Sequence, residues 1–182
     1  MKKLLTILVM LGVVACPVFA GAITDLGLFN TGTSSNWKVG GINATTATTL
    51  PGGGNPWAVN TGTSSWISTQ ADVTAITNGT SQGSAYSYTF QFTVPSTYTL
   101  SSIVIAGKWA LDDYGTASIG STVFSTMPDG GSHFLQSAFD AQTFSITSAN
   151  GLVLGANTLT FLVTNKWQSQ SGSGVSNPTG VR

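Results

Sequence analysis

The residues whose types permit chemistry are few. The only acids are six aspartates: 25, 72, 112, 113, 129 and 140, with no glutamate. A single histidine, His133, and a single cysteine, Cys16, complete the inventory of carboxylate, imidazole and thiol groups. Asp112 and Asp113 form the one carboxylate pair. On an extended segment such neighbours point to opposite faces, and a two-carboxylate glycosidase site needs its acids at a defined separation across a substrate, so the pair is a poor hydrolase. A Ser-His-Asp triad would have to use His133. That residue lies in a Gly-Gly-Ser loop with no Gly-x-Ser-x-Gly elbow near it, and it is expected to be a solvent-facing loop histidine. Zinc needs several His or Cys ligands, which are not present. No catalytic residue is assigned, and the chain is read as a non-enzyme.

What remains is binding chemistry. Five tryptophans, at 37, 57, 66, 109 and 167, are many for 182 residues. An indole face can stack on the C–H face of a sugar while short polar side chains take its hydroxyls. Trp109 and Trp167 each follow a lysine at the end of an apolar segment, and Trp57 adjoins the Gly-rich stretch Pro51-Gly-Gly-Gly-Asn-Pro56. Trp57, Trp109, Asp112, Asp113, Asn165 and Trp167 form the candidate sugar-binding set. The competing reading packs these rings in a core with each indole N–H satisfied locally. Asp112 and Asp113 are also the candidate calcium ligands, because calcium takes about six to eight oxygens. Against this, Asp-Asp-Tyr-Gly is ordinary turn chemistry, in which an aspartate bonds its own backbone. No other cofactor is implied.

The elements that must position these residues are strands. Tyr86, Tyr88, Phe90, Phe92 and Val94 alternate with Ser87, Thr89, Gln91 and Thr93. Period two over this length is a half-buried strand, and Pro95 ends it. Residues 157–165 alternate likewise, with Leu159, Phe161 and Val163 on one face, Thr158, Thr160 and Thr164 on the other, and Leu162 as the exception. Residues 100–110 predict a strand covered on both faces in its first half, delivering Trp109 and the aspartates to a rim. Gly120-Ser121 between short apolar segments predicts a tight hairpin, and residues 142–147 another strand. No helical period appears beyond Ala20. Many short strands with turn-rich spacing predict an all-β antiparallel sandwich or jelly roll.

Length, charge and the N-terminus bound the setting. Met1-Lys2-Lys3, the apolar run from Leu4 to Ala15 and Val18-Phe19-Ala20 form a bacterial-type secretory signal, with cleavage expected after Ala20. The run falls short of the roughly 20 apolar residues that span a bilayer. The competing reading is a lipobox, Val13-Val14-Ala15-Cys16, with lipidation and anchoring at Cys16; Pro17 is an awkward neighbour for it. Cleavage after Ala20 leaves 162 of the 182 residues, a single domain over 21–182, without cysteine. Its packing must therefore hold it together without a disulfide. Four bases stand against the six acids in that segment, so it has no basic face to neutralise phosphates, and nucleic acid is not an expected partner.

Several stretches taken in order resemble a known family: Leu28-Phe29-Asn30-Thr31-Gly32, Trp66-Ile67, Tyr86-Ser87-Tyr88-Thr89-Phe90, Ala106-Gly107-Lys108-Trp109-Ala110-Leu111-Asp112, residues 155–165 and Asn177-Pro178-Thr179-Gly180. Together they resemble the galactose-binding-like β-sandwich domains of exported bacterial proteins with a PEP-CTERM sorting tail. The resemblance implies a jelly roll, secretion or a cell-surface location in an exopolysaccharide matrix, and carbohydrate binding, with an extracellular polysaccharide or cell-surface glycan as partner. Fold alone does not fix that ligand. In such domains a final strand and the sorting tail follow Asn-Pro-Thr-Gly, whereas here only Val181 and Arg182 follow. The domain is thus expected to lack its last strand. The sheet edge that this opens invites self-association, the alternative function being a structural surface protein.

Overall fold

A computed structural model describes residues 31, 36–52, 57–61, 64–75, 84–166 and 179–182. The expected signal segment with Cys16 and Ala20, and Trp167, lie outside these residues. The described chain is an all-β sandwich of antiparallel strands: β1 (Trp37–Val39), β2 (Ile42–Asn43), β3 (Thr45–Thr46), β4 (Ile67–Ser68), β5 (Ser84–Val94), β6 (Ile105–Lys108), β7 (Leu111–Asp112), β8 (Tyr114–Ile119), β9 (Thr122–Met127), β10 (Thr143–Ile146), β11 (Gly155–Asn165) and β12 (Gly180–Val181). A six-stranded sheet runs in the order β2-β1-β5-β11-β8-β9. A two-stranded sheet (β10-β6) and a four-stranded sheet (β3-β4-β12-β7) are separate from it.

The two long strands organise the rest. β5 and β11 pair along their whole lengths, from Gly155 opposite Val94 to Asn165 opposite Ser84. Their period-two patterns put Tyr88, Phe90, Phe92 and Val94 on the same inner face as Leu159, Phe161 and Val163. Leu162, the exception in the sequence pattern, follows the alternation and is 43% exposed on the outer face. Trp37 of β1 packs on Phe90 and Phe161, at centroid distances of 5.2 and 5.6 Å. Ile67, Leu111, Ile146 and Val181 of the smaller sheets belong to the same buried cluster. A second cluster gathers Trp57, Trp66, Val73 and Ala110.

The hairpin between β8 and β9 turns at Gly120 and Ser121, and Gly120 has the positive φ (54°) that the sequence led us to expect. Gly115 in β8 has a different task. A Cβ there would collide with the Leu162 backbone carbonyl of β11, so only glycine lets the two backbones approach. Gly115→Ala is expected to cost about 1–3 kcal/mol, read as a lower urea midpoint at unchanged slope. An unchanged midpoint would mean that β8 shifts freely.

Three sequence expectations are corrected. The strand expected over residues 100–110 is only Ile105–Lys108, preceded by a short 3-10 turn at Leu100–Ser102. Val104 is consequently 62% exposed rather than covered. A helix, α1 (Gln136–Ala141), lies where no helical period was seen; six residues are too few to display one. His133 is not solvent-facing but buried, its Nε2 lying 2.8 Å from the Pro128 carbonyl. The Asp129-Gly130-Gly131 turn folds back so closely that a Cβ on Gly131 would strike the imidazole.

Candidate functional site

The strand crossing between β7 and β8 is where the sequence-chosen residues meet. Asp112 ends β7 and pairs with Gly180 in the four-stranded sheet. Tyr114 begins β8 and pairs with Thr164 in the six-stranded sheet. Asp113 is the bend between them, and its peptide bond to Asp112 is cis. The expectation that the two carboxylates face opposite ways presumed one continuous strand. Here the chain changes sheets between them, and the Asp113 carboxyl lies within hydrogen-bonding influence of Asp112.

Asp113 Oδ2 accepts the Lys166 N–H at 2.6 Å, tying the bend to the end of β11 next to Asn165. Lys166 Nζ in turn pairs with Asp129 at 2.9 Å. Asp112 is buried, and its Oδ1 has no hydrogen-bond partner among the described residues. Burial pushes the Asp112 carboxyl well above the usual carboxylate range. The neighbouring Asp113 pushes the same way, and the Trp57 indole opposes both. The buried Tyr88 hydroxyl is a second such atom without a partner among the described residues. Burial raises its pKa too, against the opposing effect of Ser68 and Thr179. Ser68 Oγ donates to the Thr179 carbonyl at 2.6 Å, and Thr179 Oγ1 donates to the Asp112 carbonyl at 3.3 Å. This is a polar knot inside the sandwich.

The structure brings Trp57, Asp112, Asp113 and the end of β11 at Asn165 to this knot. It does not offer them as an open sugar platform. Trp57 is 3% exposed and packs on Trp66 at 4.2 Å. Trp109 has no exposed surface; it stacks on Phe161 at 5.1 Å and donates its Nε1–H to Ser125 Oγ at 3.2 Å. Trp66 donates to the Ala58 carbonyl at 2.6 Å. The packing alternative describes all of these rings. For a metal, calcium takes about six to eight oxygens from carboxylates, carbonyls and water. Among the described residues no group of three or more acidic, His or Cys side chains converges. Asp112 and Asp113 are the two adjacent carboxylates at this bend.

A feature that no local motif signalled lies on the other side of β5 and β11. Their outward residues, with those of β1 and β8, are mostly hydroxyl or amide side chains, with Leu162, Ala85, Ala156 and Lys38 among the exceptions. In register across four strands stand Lys38, Thr89, Thr160 and Ser118. Gln91 and Thr158 form the adjacent rank. Strand spacing makes the longer rank about 14 Å across. At its β1 end lies an open depression of about 480 Å³, lined by Asn36, Lys38, Gly41, Thr89 and Gln91. Lys38, the cation of that rank, donates to Asn43 Oδ1 at 2.7 Å. The period-two pattern implied this face, since the residues opposite an apolar face must point outward. Its continuity across strands depended on a register that the sequence does not display.

No family model, curated protein or solved structure matches the chain.

Proposed function

We propose that this chain is an exported, non-catalytic β-sandwich of the galactose-binding-like kind that binds a neutral extracellular polysaccharide through the outer face of its six-stranded sheet. The observation that supports this reading is the hydroxyl and amide array running through Thr89, Thr160, Ser118, Gln91 and Thr158. Such a face exchanges hydrogen bonds with sugar hydroxyls at little desolvation cost from charge, and it repels no neutral partner. The depression beside it is in the size range of small-ligand sites, about 300–1,000 Å³. The buried tryptophans then serve to hold the sheet that presents this face.

The mature chain on a glycan array, with and without calcium, is expected to retain neutral glycans with little dependence on salt, since Coulomb attraction contributes little. Gln91→Ala combined with Thr158→Ala should weaken retention about tenfold while leaving stability within about 0.5 kcal/mol. Absence of retention in both calcium conditions would remove the proposal.

A second reading, self-association, has one observation in its favour. β9 is an edge strand of the six-stranded sheet, with Val123 54% exposed, and edges template pairing with another chain. Growth of oligomers with concentration in light scattering, abolished by Val123→Lys, is the expected result under that reading.

A further inference from the structure

A small cavity of about 60 Å³ lies between the two layers, where the two-stranded and four-stranded sheets meet. Its apolar wall is Trp37, Leu159 and Phe161 from the inner face of the six-stranded sheet with Phe144 of β10, and its polar wall is Thr31, Ser64, Lys108 and Arg182. Arg182 is held firmly. Its backbone N–H and carbonyl each bond to Ala110 at 2.9 Å. Its guanidinium lies over the Phe139 ring at 4.2 Å, and its Nε donates to Ser64 Oγ at 3.1 Å. The residue is only 4% exposed, yet Nη1 is buried with no hydrogen-bond partner among the described residues. Lys108, whose side chain is 44% exposed, stands at the same cavity and reaches Asp140 at 3.6 Å.

We infer that this cavity is a carboxylate-binding site, with Arg182 Nη1 as the buried donor and Lys108 as the cation at its mouth. A buried guanidinium N–H without an acceptor is expensive, and guanidinium groups match carboxylates in both charge and geometry. Two cationic side chains, Arg182 and Lys108, stand near one acidic side chain, Asp140. The volume is that of about two water molecules. It therefore admits a carboxylate group and little more, with the attached carbon against Trp37 and Phe161. The carboxylate belongs either to a small free acid or to a uronic-acid unit of a polysaccharide whose ring stays outside. The site is separate from the outer sheet face and does not depend on the function proposed for that face.

The test follows the Trp37 indole N–H signal by NMR while sodium acetate is titrated into the full chain at constant ionic strength, with sodium fluoride as control. A saturable shift with acetate and none with fluoride is expected. Arg182→Gln should weaken the acetate response about tenfold or more. Lys108→Gln, at a half-exposed position that leaves folding intact, should weaken it to a smaller degree, so the outcome does not hang on Arg182→Gln folding. Repeating the titration with galacturonate and polygalacturonate separates the sources. Preference for the polymer assigns a polysaccharide carboxylate, and equal response to acetate assigns a free acid. A response without saturation, or one unchanged by both substitutions, would mean that water fills the cavity and would overturn the inference.

Discussion

Trp109→Ala is expected to destabilise the protein by about 3–5 kcal/mol, the usual cost of deleting a fully buried aromatic side chain. For a domain of this size that corresponds to a fall in Tm of roughly 6–20 °C. Three properties of the ring carry the expectation. It has no exposed surface, it stacks on Phe161 at 5.1 Å, and its Nε1–H donates to Ser125 Oγ at 3.2 Å. Phe161 in turn packs on Trp37 at 5.6 Å, so the void opens beside a chain of rings that cannot slide in to fill it. Trp109→Phe keeps part of the stack and should cost less, with the Ser125 hydroxyl left to find water. The measurement is urea unfolding of the wild type and both variants. Destabilisation in the order Ala, then Phe, with glycan retention unchanged in whatever fraction stays folded, is the expected pattern. Loss of glycan binding at unchanged stability would instead restore Trp109 as a ligand platform.

That contrast shows where the sequence was legible. β5 and β11 were readable because burial of one face imposes period two over 11 residues each, long enough for alternation to stand out. The Gly120-Ser121 hairpin was readable because a positive φ at a two-residue turn selects glycine. The four-stranded sheet was not. β3, β4, β7 and β12 are two residues each, too short for any period, and they exist only because Thr45 finds Ser68, Ile67 finds Val181 and Asp112 finds Gly180. Whether a tryptophan beside a lysine ends on a rim or in a core depends on that second layer. Trp109 stood open between a rim and a core in the sequence because its strand was read as running on to a loop; the chain passes at once from β6 to β7 under the sandwich. The Asp112-Asp113 bend was hidden for the same reason, since it is the point where the chain leaves one sheet for the other. The cavity at Arg182 had no local signal at all. Its Ser64 partner is 118 residues away, and neither residue is unusual in its own neighbourhood.

Asp112 carries the second large effect, and it depends on pH. Burial first, and the adjacent Asp113 second, hold its carboxyl well above the usual carboxylate range, with the Trp57 indole opposing them. In the unfolded chain the same group titrates near about 3.9. The folded state therefore keeps a proton that the unfolded state releases. The stabilisation from that proton is complete below the unfolded value and is lost as pH rises through the folded one, by the usual linkage between proton uptake and unfolding. Ionising Asp112 in place would add a buried charge whose Oδ1 has no partner among the described residues, and the effective penalty for such a charge is several kcal/mol. Asp112→Asn preserves shape and removes the titration. At acidic pH the two proteins should be within about 1 kcal/mol of each other, since one neutral polar group replaces another. From weakly acidic pH upward the wild type should lose stability steadily relative to the variant, which becomes the more stable protein at neutral and alkaline pH. Asp113→Asn, at the half-buried end of the same bend, should flatten the wild-type curve only in part, because it removes the like charge and leaves the burial. Urea midpoints taken across the pH range for the three proteins decide the matter. Parallel curves for wild type and Asp112→Asn would show that the knot reaches solvent when folded. A wild-type curve that rises with pH relative to the variant would show that Asp112 is ionised and partnered, which is the state a bound cation would require.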